Sequence, residues 1–215
     1  MPSWYTPFKR GWHALLRSPC PLCHANRADE QLLCSDCLAA LPTPPAFELD
    51  PDFMVLYAFY YDKPIRELIL KLKFAHSLAD LQLLAQLMTA RLVPRIIDKP
   101  ELIIPVPLHP KRLRSRGFNQ ALELAKPLGN ALNCPISTAF IKRTQSTKAQ
   151  SSLRATERVE NVQHAFAVIQ PIPYRHVALL DDVITTGATL GALKHLLQAQ
   201  GIERVDFYAC ARPLG

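Results

Sequence analysis

Val177-Ala178-Leu179-Leu180-Asp181-Asp182-Val183-Ile184-Thr185-Thr186-Gly187-Ala188-Thr189-Leu190 decides how this chain is read. Val177 to Leu180 are consecutive apolar residues, as expected of a strand covered on both faces in a parallel sheet. Two carboxylates follow, then a turn with hydroxyls and a glycine, then a helix predicted from about Ala188 to Gln200. Leu190, Leu193, Leu196 and Leu197 recur at three- and four-residue steps and give that helix one apolar stripe. Gly201 sits where a left-handed C-cap is expected, and Ile202 to Cys210 reads as the next strand.

The turn between strand and helix is where ligands bind in such sheets. A helix N-terminus offers amide N–H groups and a positive dipole end, which attract phosphate. Gly187 allows close approach or positive φ, and Thr185, Thr186 and Thr189 add hydroxyls. Beside a polyanion, Asp181 and Asp182 make sense if they face a ribose, where carboxylates accept hydrogen bonds from vicinal hydroxyls. They are also the candidate catalytic pair, placed to steady positive charge in an oxocarbenium-like transition state. Taken singly, an Asp before a helix is an N-cap and Thr-Thr-Gly a turn. The whole run in this order resembles the phosphoribosyl-diphosphate (PRPP) signature of type I phosphoribosyltransferases. The resemblance implies ribose contacts from Asp181 and Asp182. It implies a 5-phosphate cradle from Val183, Thr185, Thr186, Gly187, Ala188 and Thr189, with magnesium entering alongside PRPP. Neither G-x-x-x-x-G-K-[ST] nor G-x-G-x-x-G occurs in the chain.

A second constellation lies near the N-terminus. Cys20-Pro21-Leu22-Cys23 and Cys34-Ser35-Asp36-Cys37 are C-x-x-C pairs ten residues apart. Four thiolates so spaced suit a closed, structural zinc site; a redox dithiol or two disulfides are the alternatives. Residues 1–19 hold no long apolar core of the kind a secretory signal needs, so a cytoplasmic, reducing setting is expected. Residues 1–45 are too few and too polar to bury a core, so metal would supply stability. Pro42, Pro44 and Pro45 mark a linker, and 46–215 forms the main domain. No stretch reaches transmembrane length. Trp4, Tyr5, Phe8 and Trp12, with Lys9 and Arg10, are expected to pack on the zinc module, with a peripheral contact with the inner membrane as the alternative.

Between these motifs the pattern is α/β. Phe53–Tyr61 and Leu102–Val106 read as strands, and Phe140-Ile141 as a further one. Helices are expected after Pro64, with Ile65, Leu68, Ile69 and Leu72 inward, from Ala79 to Leu92, and from Asn119 to Asn133. The proline-rich turn after Val106 is a second phosphate-side turn.

The formal net charge is +7, from 25 basic and 18 acidic residues. Ten of the basic residues and two acids fall between His109 and Arg158, so that segment alone carries +8. Such segregation argues for an anionic partner. A diphosphate uses a few of these charges; Val106, Pro107, Lys111, Arg112, Arg154 and Arg158 are its candidates, the last two in a polar loop from Lys142 to Glu160 that would close as a hood. Arg114, Arg116, Lys142, Arg143 and Lys148 are candidates for a nucleic-acid backbone.

The four-Cys module, Pro105-Val106-Pro107 with Arg116-Gly117-Phe118-Asn119-Gln120, and Asp181 to Thr189 occur together. So does Lys142-Arg143-Thr144-Gln145 with Gln150, Leu153, Arg154, Arg158, Asn161 and Ala165-Phe166. This combination resembles the ComF family of bacterial competence proteins along nearly the whole chain. The resemblance implies a type I phosphoribosyltransferase fold, a mostly parallel central sheet flanked by helices, with a small N-terminal zinc-finger module. It also implies a role in natural transformation, handling incoming single-stranded DNA beside a ComFA-like helicase. Three readings stay open: a PRPP-binding competence factor with or without phosphoribosyl transfer, a salvage transferase, and a non-catalytic PRPP sensor.

Overall fold

A computed structural model describes residues 19–25, 32–45, 55–74, 77–144, 165–185 and 187–214. Contacts divide the chain into two units, Met1–Leu41 and Pro42–Gly215. In the first, the described residues form a turn at Cys20–Cys23 and a short helix, α1 (Ser35–Ala39).

The second unit is built on four parallel strands: β1 (Val55–Tyr60), β2 (Leu102–Pro105), β5 (His176–Val183) and β6 (Arg204–Arg212), in the order β1-β6-β5-β2. Helices α2 (Ile65–Phe74), α3 (Leu78–Leu92), α4 (Pro110–Arg116), α5 (Gln120–Leu132) and α6 (Ala188–Gln198) accompany them. A separate antiparallel hairpin joins β3 (Ile141–Arg143) to β4 (Phe166–Val168). The α/β class expected from sequence, a parallel sheet flanked by helices, is present.

Each element has a local cause. Val177 to Leu180 are wholly buried, as the unbroken apolar run requires. Ile65, Leu68, Ile69 and Leu72 of α2 are at most 2% exposed, and each contributes about 2 kcal/mol of transfer free energy. The Ser77 hydroxyl caps α3 by accepting from the Asp80 amide. Asn119 caps α5 through the Ala121 amide, while its own side-chain amide donates to the Val106 carbonyl, tying helix start to strand end. α5 continues through Pro127 because its Leu124, Ala125, Leu128 and Leu132 face is buried. Gly129 allows a close return of the chain: a Cβ there would meet Ile136 Cδ1 at 2.6 Å. Ile136 pairs with Ile103, extending the sheet beyond β2.

Sequence expectation and structure differ in four places. The segment after Val106 is not a bare turn, for His109 caps a two-turn helix, α4, by accepting from the Lys111 amide at 3.2 Å. β5 runs on through Asp181, Asp182 and Val183, because β6 continues to pair with it at Asp181–Ala209 and Val183–Ala211. Lys142 and Arg143 lie in strand β3 and not in a loop, held by register with Ala167 and Phe166, and Phe140 falls outside that strand. A 3-10 turn, Val93–Arg95, carries the chain past Pro94 after α3 ends at Leu92.

The two faces of the sheet are covered differently. Leu190, Leu193 and Leu197 of α6 share a core with Val177 and Leu179 of β5 and with Ile141 and Phe166 of the hairpin. α5 packs instead on α3, β2 and β5. The chain leaving β2 and the chain leaving its neighbour β5 therefore cross to opposite faces. A crevice opens at such a switch point, at the C-terminal ends of the strands.

Candidate functional site

β2 ends first: Val106 donates its amide to the Leu180 carbonyl and the chain departs. β5 goes on, so Asp181 stands at the crevice beyond the end of its neighbour. A small open cleft of about 40 Å³ lies there, lined by Asp181, Val183, Ile184, Thr185, Gly187, Thr189 and Leu190. Gly187 adopts φ 67°, the left-handed conformation that turns the chain into α6. A side chain at that φ costs about 1–2 kcal/mol, which is the reason for glycine. The first-turn amides of α6 have no intrahelical carbonyl to bond, and they point a positive dipole end at the cleft. Thr186 lies outside the described residues.

The two acids part company. Neighbours on a strand face opposite sides. Asp181 lines the cleft, whereas Asp182 meets Lys73 of α2, Nζ to Oδ2 at 2.9 Å, and is not among the lining residues. Asp181 Oδ1 accepts from the Asp182 amide and Asp182 Oδ1 from the Val183 amide, both at 2.8 Å. Burial, and then the charge of Asp182, push the Asp181 carboxyl up to about 8, against the Asp182 amide and Lys73. A partly buried acid whose proton affinity is raised beside a cleft marks a candidate functional group.

The basic candidates separate too. Arg143 stacks over Phe166, 5.2 Å from the ring centroid. Burial and then Arg112 lower its proton affinity, while Asp181 raises it, so Arg143 stands within electrostatic reach of the cleft acid. His109 is lowered by desolvation, then by Lys111, Arg143 and Arg112. The structure thus gathers His109, Lys111, Arg112 and Arg143 on the Asp181 side. Arg114 is exposed on α4, Arg116 donates to Gln120 Oε1 at 3.2 Å, and Lys142 is exposed. Val106 is buried and Pro107 partly so. Lys148, Arg154 and Arg158 lie outside the described residues.

Sequence reasoning missed Lys73. Its signal was spacing: residue 73 stands four after Ile69, at the edge of the buried stripe of α2.

In the N-terminal unit the sulfurs of Cys20, Cys23, Cys34 and Cys37 all lie within 4.8 Å of one another. Cys23 and Cys34 are 3.8 Å apart, the separation of about 3.8 Å that a tetrahedral ion with bonds of about 2.3 Å imposes. The donor set therefore fits a metal ion. His24, at φ 58°, returns its amide to the Cys20 carbonyl at 2.9 Å and stays out of the cluster. Burial opposes ionisation of Cys20, but amides of Cys34, Cys23 and Leu22 outweigh it and bring the thiol down to about 6. Burial and the neighbouring sulfurs push Cys37 up to about 12, the response of crowded thiols that a cation would relieve. Among the described residues no helix is long and apolar enough to cross a membrane.

No family model matches the chain. It is similar to competence protein F of Haemophilus influenzae, 35% identical over 199 residues that cover 89% of this chain and 85% of that protein. It is also similar to the DNA utilization protein YhgH of Escherichia coli K12, 32% identical over 201 residues, 91% of this chain and 84% of the other. Among solved structures, adenine phosphoribosyltransferase of Leishmania tarentolae aligns with a TM-score of 0.42 and 15% identity, covering 77% of this chain and 93% of that one. By identity and coverage with its curated relatives, this chain belongs to the competence protein F (ComF) family.

Proposed function

We propose that the cleft at Asp181–Thr189 binds PRPP, and that the chain uses it while handling single-stranded DNA during natural transformation. The observation that carries the ligand is the cleft itself: a carboxylate at the end of a parallel strand, a left-handed glycine, and a helix N-terminus, together at a topological switch point. Asp181 accepts the ribose hydroxyls, and Thr185, Thr186, Gly187, Ala188 and Thr189 hold the 5-phosphate. Arg112, Lys111 and Arg143 meet the diphosphate from the hairpin and α4 side, with Val106 and Pro107 shaping that wall and Arg154 and Arg158 closing over it. Magnesium arrives on the diphosphate. Where transfer follows, displacement at the anomeric carbon is dissociative, so the protein contributes position and charge.

The DNA role rests on the basic surplus and on the kinship with a competence protein and a DNA utilization protein. Arg114, Arg116, Lys142 and Lys148 are the backbone contacts, a ComFA-like helicase the partner, and the cytoplasm the setting. Zinc at Cys20, Cys23, Cys34 and Cys37 holds the N-terminal unit together; the module, counted with its proline linker, is proposed to run to about residue 45, past the unit division at Leu41.

Calorimetry with PRPP and magnesium, repeated with single-stranded DNA, tests both halves. Micromolar PRPP binding and salt-dependent DNA binding are expected. No heat with PRPP at any pH removes the ligand. Transformation left intact by deletion in a competent strain removes the role. Pyrophosphate release with one acceptor from a panel would favour a salvage transferase, and PRPP binding without release under any condition a sensor.

A further inference from the structure

The acidic pair of the cleft is not symmetric, and the asymmetry is fixed from outside the motif. Asp182 has both oxygens engaged, Oδ1 by the Val183 amide and Oδ2 by Lys73. Its side chain is 14% exposed and that of Lys73 21%, so the pair is largely withdrawn from water. Cys210 of β6, fully buried, adjoins both groups and offers no charge, since burial and then Asp182 push its thiol up. Turning Asp182 toward the cleft would break the pair and leave a half-buried ammonium behind, which costs several times a surface ion pair. Asp181 has one oxygen on the Asp182 amide and lines the cleft.

We propose that Lys73 and Asp182 are a positioning pair, which anchors the end of β5 so that Asp181 alone of the two acids is offered to the ribose diol. The assignment of the diol rests on the PRPP reading above; the positioning pair does not. Lys73 holds Asp182, the Asp182 amide holds Asp181 Oδ1, and the remaining lone pairs of Asp181 face the ligand. A helix 108 residues earlier in the chain thereby sets the geometry of the sugar site.

Four variants test this: Asp181→Asn, Asp182→Asn, Lys73→Met and Lys73→Arg. In calorimetry with PRPP and magnesium, Asp181→Asn should weaken binding about tenfold or more, the loss of a charge-assisted hydrogen bond. Lys73→Met and Asp182→Asn should each weaken it by a smaller, similar factor of about three. The double variant should be no worse than either single one, because the two residues act as a unit. Lys73→Arg should restore affinity. An Asp182→Asn loss equal to that of Asp181→Asn, or unchanged affinity in Lys73→Met, overturns the proposal.

A second reading needs no ligand. The charged and titratable groups around Asp181 are Asp182, Lys73 and Arg143, with Cys210 beyond Asp182. In a carbon-13 carboxyl titration, Lys73→Met should move the Asp181 midpoint up, Asp182→Asn should move it down, and Lys73→Arg should return it. A midpoint indifferent to Lys73 overturns the positioning pair. If the wild type binds no PRPP at any pH, the ligand reading fails alone and this titration decides the pair. If Lys73→Met does not fold, the isosteric Asp182→Asn carries both measurements.

Discussion

The two ends of the parallel sheet treat carboxylates in opposite ways. At the N-terminal end every described acid is answered. Arg204 reaches Asp206 through Nε at 2.9 Å and Nη2 at 3.1 Å, and Asp98 through Nη1 at 2.9 Å. His176 Nε2 adds a contact to Asp206 at 2.9 Å. Glu101 accepts the amides of Arg175 and His176, which hold its carboxyl below the usual range. At the C-terminal end Asp181 is partly buried beside a like charge, and its carboxyl is pushed up to about 8. Compensated charge ties β5, β6 and the loop before β2 together; under-compensated charge stands where a ligand is expected. Groups that cost stability are retained where they do something else.

The cysteine unit extends the contrast, because its four crowded sulfurs are a donor set that a metal ion would compensate. Cys34→Ser should produce the largest effect: loss of bound zinc and of the N-terminal unit's fold, since site formation and folding are one event worth about 10 kcal/mol in small metal domains. Metal analysis and circular dichroism check it; wild-type protein purified without stoichiometric metal breaks the claim.

Arg204→Ala comes next. It strips Asp206 and Asp98 of their main partner, and the partly buried Asp206 should make this cost about 2 kcal/mol in thermal unfolding. PRPP affinity should not change, because the two ends are separate in function. A loss of affinity without a loss of stability would reverse the roles assigned to them.

Asp181→Asn should act in the opposite sense on stability. An acid whose folded value is raised to about 8 keeps its proton in the folded state where the unfolded chain has lost it, so stability falls as pH rises from about 4 through 8. The amide removes that fall, and the variant should melt higher than wild type at pH 8.5 by at least about 1 kcal/mol, with little difference at pH 4. PRPP binding by the wild type should tighten toward pH 8 and release a proton. Calorimetry in two buffers of different ionisation enthalpy measures this directly. Flat stability and flat affinity across pH 5–9 would show Asp181 to be an ordinary charged surface acid.

Gly187→Ala is the smallest change, about 1 kcal/mol of strain at φ 67°. It should lower Tm slightly and weaken PRPP by a few-fold through the displaced first turn of α6. Full affinity would mean that the phosphate does not sit at that helix N-terminus.

Much of this was legible in one dimension. Unbroken apolar runs at Val177–Leu180 and Leu102–Val106 are strands covered on both faces, and the buried side chains agree. Asn119 and Asn133 bracket α5 as its caps. The short α4 was hidden because its apolar content is too low to show a period, and its start is set by the His109 ring accepting from the Lys111 amide. Of β3 only the start at Ile141 was legible, because three residues carry no period, and only pairing with Phe166–Val168 makes Lys142 and Arg143 part of a strand.

Sequence alone therefore determined what depends on neighbours in the chain: the strand–acid–glycine–helix order of the cleft, the caps, and four cysteines in two turns. Tertiary structure alone decided which groups meet. It turned Asp182 away from the cleft and onto Lys73, and placed Arg143 within reach of Asp181. It also let β5 outrun β2, so that the acid stands at an open edge. The reason is physical. Local pattern sets backbone conformation, but the charge on a buried carboxyl is set by whatever the fold brings within a few ångströms, and those partners come from distant parts of the chain.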